Sequence, residues 1–231
     1  DFQLRQVSME RREHGFDELV ISPVETLPRP LPGLAGHLPI ILFIDRHLEP
    51  PRLFHRASHL DWMARKLEKA GHVTKKWGLG YNLGATEARF RQVEERLVDL
   101  YRRTGEPIHL VGWSLGGVMA RELAKKHPDK VAKVITMGSP FSYSPRANNG
   151  WRAYQAIAGH RVDEPEIDTV LHEKPPVETV AFWSPRDGVV HPRAACGRPD
   201  ERDRAVPLRC SHMGFVLTNE AVAAVLSELD R

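Results

Sequence analysis

The stretch HLVGWSLGGVMARELAKKHP, residues 109–128, constrains the fold more than any other part of the chain. Ile108 to Val111 is a short apolar run preceded by Gly105 and Pro107, the pattern of a strand buried on both faces. From Gly117 to His127, the apolar Val118, Met119, Leu123 and Ala124 recur at helical spacing with charges between them, and Pro128 is a stop. Gly112, Ser114 and Gly116 fall between the two. The chain therefore has to turn from a buried strand into a helix within a few residues, with a serine at the apex.

The same alternation extends along the chain. IILFI, Ile40 to Ile44, reads as a buried strand, and Ser58 to Gly71 as an amphipathic helix with Leu60, Met63, Ala64 and Leu67 inward. HVTKKW is a weaker strand. ATEARFRQVEERLVDLYRRTG is a long helix with Phe90, Val93, Leu97 and Leu100 on one face. KVAKVITMGSP and VETVAFW (Val177 to Trp183) are further strands, and NEAVAAVLSELD is a terminal helix with Asn219 near its cap. Strands alternating with helices predict an α/β fold, a mostly parallel sheet flanked by helices on both faces. Residues 141–176 interrupt the pattern and read as an insertion over the sheet. Residues 1–37 read as an N-terminal arm ending in a Pro/Gly-rich entry loop, which leaves 38–231 as the domain proper.

Composition narrows the function. A hydrophobic content of 41 % supports a sizeable core, and 33 basic against 30 acidic residues give a net charge of only +3. The charges are interspersed, with no Lys/Arg stripe to make nucleic acid the partner. No apolar run reaches the roughly 20 residues of a transmembrane helix. The N-terminus shows no signal-peptide apolar segment, which leans towards the cytoplasm, but the chain does not begin with Met and a removed leader would leave the compartment open. Two cysteines, Cys196 and Cys210, are too few for a metal framework or a disulfide scaffold, and no cofactor is expected.

Ligands of open parallel sheets lie beyond the C-terminal ends of the strands, where Ser114 would stand. Glycines at 112 and 116 would let strand and helix approach closely around a strained turn. That turn raises the serine oxygen and aims the helix N-terminus, with its free N–H groups, at the same point. Gly112-Trp113-Ser114-Leu115-Gly116 has the form of a nucleophile elbow in its strand–turn–helix setting. A serine nucleophile needs a base, and the base an orienting carboxylate; in elbow proteins they follow as Ser, Asp, His in loops after later strands. AFWSPRDGVVH supplies Asp187 directly after a strand, and LRCSHMGF supplies His212 just before the terminal helix. His191, four residues after Asp187, is the main rival among twelve histidines, while His72, His109 and His127 sit at structural positions. Asp163, Asp168, Asp200 and Asp203 lie in polar stretches without a preceding strand. Trp113, Trp151, Tyr154 and Ile157 are candidate substrate contacts, the last three on the insertion.

With GWSLGG, GSP, SPRDGVV and SHMG in place, the sequence resembles the α/β-hydrolase superfamily, in particular bacterial esterase/lipase-like members, over about residues 38–230. The resemblance implies a Ser114–Asp187–His212 triad, no metal, and hydrolysis of a small-molecule or lipid ester through an acyl-enzyme. WGLGYNLGAT resembles the loop after the second core strand of such proteins; its glycine spacing does not fit a dinucleotide turn.

One departure stands out. Relatives commonly follow the first core strand with a glycine-containing loop whose N–H completes the oxyanion hole; here it is FIDRHLEPP, Phe43 to Pro51, without glycine. Leu115 N–H remains one donor, and the second would come from near Arg46 or from its guanidinium, unless Asp45 and Arg46 pair and leave the hole incomplete. An acyltransferase on the same triad and a non-catalytic binding protein of the same fold stay open as alternatives. If the Asp187 and His212 loops run side by side, Cys196 and Cys210 could bridge under oxidising conditions.

Overall fold

Alternate residues of the central strands enter two different cores, which is why those strands are apolar along their whole length. The computed structural model describes residues 40–44, 59–76, 87–143 and 171–231, all within one unit from Ala35 to Arg231. Strands β1 (Ile40–Ile44), β2 (Val73–Lys76), β3 (Ile108–Trp113), β4 (Val131–Met137), β5 (Glu178–Trp183) and β6 (Arg204–Pro207) form one sheet in the order β2-β1-β3-β4-β5-β6. Every neighbouring pair is parallel. The helices are α1 (His59–Lys69), α2 (Glu87–Thr104), α3 (Leu115–Lys126), α4 (Pro192–Cys196), α5 (Gly214–Leu217) and α6 (Asn219–Leu229).

Ile41 and Phe43 of β1, Val111 and Trp113 of β3, and Ile135 and Met137 of β4 pack with Leu60, Met63 and Leu67 of α1 and with Phe215, Val222 and Val225 of α5 and α6. The intervening residues Leu42, Ile44, Leu110 and Val134 face the opposite way, onto Phe90, Val93, Leu97 and Leu100 of α2 and Met119, Leu123 and Ala124 of α3. Helices therefore cover both faces, and the apolar stripes of the sequence are the surfaces they bury. Each such side chain contributes roughly 1.5–3 kcal/mol of transfer free energy.

The sheet's N-terminal edge is charged where its C-terminal edge carries the serine. Lys133, 4 % exposed, pairs with Glu178 at 3.2 Å, and Arg204 bridges Glu178 to Glu228 of α6. This chain of alternating charge ties β4, β5, β6 and the terminal helix together. Arg121 of α3 is fully buried; it stacks on Phe141 at 4.0 Å and donates to the carbonyls of Glu173 and Glu201 at 3.0 and 3.1 Å. It thereby fixes the segment that leads into β5.

Three local differences from the sequence pattern have physical causes. The strand before the serine runs two residues further, through Gly112 and Trp113, and α3 starts at Leu115 rather than Gly117, so the turn is Ser114 alone. Between Asp187 and His212 the chain forms α4, a 3₁₀ turn (Pro199–Glu201) and β6, none of them marked by a period in the sequence. Strand β6 has four residues, partly exposed and ending in Pro207, so neither alternation nor length marks it. The arm (1–37), most of the insertion and the glycine-rich segment 78–84 lie outside the described residues.

Candidate active site

Ser114 stands at the C-terminal end of β3 with φ 55 and ψ −124, a backbone conformation that favours glycine. What holds a serine there is the packing around it. Its N–H donates to Met137 O of β4 at 2.9 Å, and its carbonyl accepts from Gly117 N at 3.1 Å. Strand and helix touch through glycine: a Cβ on Gly112 would lie 2.4 Å from Gly117 Cα, and one on Gly117 would lie 2.0 Å from Ser139 Oγ. The close approach expected of Gly112 and Gly116 is made by Gly112 against the backbone of both Gly116 and Gly117, a Cβ on Gly112 also lying 2.5 Å from Gly116 O. Leu115 is the first residue of α3, so its N–H and that of Gly116 have no partner within the helix and lie next to the serine.

Asp187 follows β5 in a turn closed by Asp187 N donating to Ser184 O at 3.4 Å. Its carboxylate is 4 % exposed as a residue and is held on Oδ1 by the N–H groups of Val189 (2.9 Å) and Val190 (2.7 Å). His212 Nδ1 lies 2.9 Å from Oδ1 and 3.0 Å from Oδ2. A carboxylate can only accept, so Nδ1 carries the proton and Nε2 is left as the ring's basic nitrogen. The two loops are joined at backbone level as well: His212 N donates to Asp187 O at 2.9 Å, and Ser184 Oγ donates to Cys210 O at 2.6 Å while accepting from Arg186 N at 3.0 Å.

The histidine is tied to the elbow through Trp113. The indole N–H donates to His212 O at 3.0 Å, and the two rings lie 5.2 Å apart, tilted by 37°. Phe215 meets the imidazole edge-on at 6.4 Å. Ser114, Asp187 and His212, from three separate regions of sequence, are thus linked by short hydrogen-bonded paths at one end of the sheet.

The other candidates have different surroundings. His191 caps α4, its Nδ1 accepting from Arg193 N at 3.2 Å. His127 lies 2.6 Å from Glu94, whose pKa is lowered because the hydrogen bonds and charges of Lys126 and His127 together outweigh burial. His109 is inside β3, where burial, Lys133 and His72 push its pKa down to about 4. Asp203 accepts from Thr179 N at 2.8 Å and pairs with Lys174 at 3.1 Å, a structural position beside β6. Arg46, Trp151, Tyr154 and Ile157 lie outside the described residues. Trp113 is 6 % exposed and packs in the core.

Cys196 and Cys210 are free thiols, so the bridge between them is not formed. Cys210 is buried against Gly214, whose added Cβ would lie 2.6 Å from that of Cys210; its thiol is pushed up to about 11 by burial first, then by the charges of Glu220 and Asp187. Cys196 Sγ instead faces the Arg202 guanidinium at 3.8 Å.

Sequence reasoning gave no role to Gly138, though it lies in the quoted GSP. Its φ is 56, and an added Cβ would lie 2.8 Å from both Asp187 Oδ2 and the Phe215 ring. Those contacts join elements far apart in sequence, and no local pattern around residue 138 marks them.

A family model described as the alpha/beta hydrolase fold matches residues 98–159, from within α2 through β3, the elbow, α3 and β4. Among curated proteins, the pimeloyl-[acyl-carrier protein] methyl ester esterase of Aliivibrio salmonicida is 33 % identical over 37 % of this chain and 31 % of its own length. Its Vibrio cholerae counterpart is 31 % identical over 36 % of the chain and 31 % of that protein. The chain thus matches less than a third of the length of these relatives. Among solved structures, Aspergillus fumigatus lipase B superposes with a TM-score of 0.63 at 13 % identity, covering 85 % of this chain and 53 % of that one. A mature Bacillus licheniformis lipase gives 0.62 at 16 % identity, covering 87 % and 95 %. At such identities the likeness is one of fold.

Proposed function

The chain has the α/β-hydrolase fold, and on that premise we propose that it is a serine hydrolase cleaving carboxylic esters through an acyl-enzyme. The observation that carries this reading is the His212–Asp187 contact, 2.9 Å and 3.0 Å to the two carboxylate oxygens, joined by the Trp113 indole at 3.0 Å to the strand that ends in Ser114, whose backbone is strained at φ 55. Ser114 Oγ attacks the ester carbonyl while His212 Nε2 takes its proton. The same nitrogen returns that proton to the leaving alcohol, and water then repeats the sequence on the acyl-Ser114 ester. Asp187 holds the imidazole in the tautomer with Nδ1 protonated and stabilises the imidazolium that forms. The Leu115 N–H, at the positive end of α3, stabilises the tetrahedral oxyanion. A second donor would come from the segment after β1, with Arg46 as the candidate.

The substrate class is a carboxylic ester of a small molecule or lipid. The curated relatives are named as esterases of a pimeloyl-[acyl-carrier protein] methyl ester, so an acyl chain esterified to a small alcohol is the first substrate to test. The deciding experiment is a p-nitrophenyl ester series of increasing chain length, run with Ser114→Ala as control and with a fluorophosphonate label. Hydrolysis and labelling lost together in the folded variant support the assignment; full activity in Ser114→Ala overturns it.

A further inference from the structure

We infer that Trp113 is the positioning residue that sets His212 against Ser114, an inference that rests on the hydrolase reading above. Both backbone polar groups of His212 are engaged by the other two members of the site or their immediate neighbour. Its N–H donates to the carbonyl of Asp187 at 2.9 Å, and its carbonyl accepts the indole N–H of Trp113, the residue preceding Ser114, at 3.0 Å. The peptide of the base is therefore clamped between the acid's loop and the nucleophile's strand. Only the side-chain torsions are left, and the carboxylate bonds to Nδ1 fix them.

The clamp matters because His212 lies between β6 and α5, in a segment without ladder hydrogen bonds of its own. The elbow is the opposite: Trp113 is a β3 residue paired with Met137 and almost wholly buried. The indole transfers that rigidity across to the loop. Its ring also lies against the imidazole at 5.2 Å while Phe215 meets it edge-on at 6.4 Å, restricting ring rotation from two sides. Tryptophan suits the position because it is a donor only and reaches further than other ring donors. Phenylalanine would keep much of the packing and leave the carbonyl without this donor.

The experiment removes the N–H and, in a second variant, keeps the ring. Trp113→Phe is compared with site-specific replacement of the Trp113 indole by benzothiophene, which retains the bicyclic shape and so decides the matter even if the phenylalanine variant fails to fold. Misplacement of a catalytic group by about 1 Å costs about 100-fold. We expect kcat on a p-nitrophenyl ester to fall about 10- to 100-fold in the benzothiophene form. KM should be little changed, fluorophosphonate labelling should slow by the same factor, and the thermal midpoint should stay near that of the parent. A folded benzothiophene form with parental kcat and labelling rate overturns the inference alone. A parent chain that neither hydrolyses esters nor labels overturns the hydrolase reading and this inference with it.

Discussion

Replacing Ser114 by glycine should make the protein more stable than replacing it by alanine, the reverse of the usual order. At an ordinary position alanine is favoured over glycine by about 0.4–1 kcal/mol, because glycine has more unfolded conformations to lose. Ser114 sits at φ 55 and ψ −124, where a residue with a Cβ bears about 1–3 kcal/mol of strain. Ser114→Ala keeps that strain and loses the hydroxyl; Ser114→Gly releases the strain as well. Setting a release of about 2 kcal/mol against about 0.7 for the entropic term and about 0.8 for one buried methyl leaves glycine ahead by about 0.5 kcal/mol. Both variants should be inactive, so the comparison isolates backbone strain from chemistry. Urea unfolding of the two variants under identical conditions measures the difference. For a chain of this size it corresponds to a shift of about 1–2 °C in Tm. If Ser114→Gly proves less stable than Ser114→Ala by the usual margin, the elbow is not strained in solution and the packing argument for it fails.

Gly138→Ala should lower kcat about 100-fold and destabilise the fold by about 2–5 kcal/mol, since the new methyl meets the Asp187 carboxylate and the Phe215 ring at 2.8 Å on a backbone at φ 56; ester hydrolysis and thermal unfolding check both, and parental activity would refute it. His109 stays neutral when folded, its pKa pressed from 6.5 to about 4, whereas the unfolded chain takes up a proton there near pH 6.5, so stability should drain away as pH falls through that window, by at most about 3 kcal/mol. His109→Leu holds no such proton and should lose less stability than the parent between pH 7 and about 5 in urea titrations; equal slopes would dismiss His109 as the cause. Alkylation without reductant should modify Cys196 in the native protein and Cys210 only after unfolding, because Cys210 is buried and its thiol raised to about 11; a mass unchanged in denaturant would mean that the two are bridged.

The parts of the fold that could be read from sequence are those whose burial follows a simple period. Strands β1, β3, β4 and β5 show as apolar runs because both of their faces are covered, and α1, α2 and α6 because one stripe of each is buried. Strand β6 and the short helices α4 and α5 did not show, being too brief or too exposed for any period to emerge. The candidate site divides in the same way. Ser114, Asp187 and His212 could be located because each occupies a chain position that topology dictates: the end of a strand, or the loop before a helix. Gly138 and the indole N–H of Trp113 could not, because their roles arise from contacts across elements far apart in sequence. A missing Cβ beside Asp187, or a donor facing the carbonyl of a residue 99 positions away, leaves no mark on local composition. A parallel sheet collects residues at its C-terminal edge from many separate loops, so the identity of the reacting groups is a property of each loop. Their mutual distances are a property of the whole sheet, and at this candidate site glycine, backbone amides and one tryptophan act together with the Asp187–His212 contact to hold the residues in place.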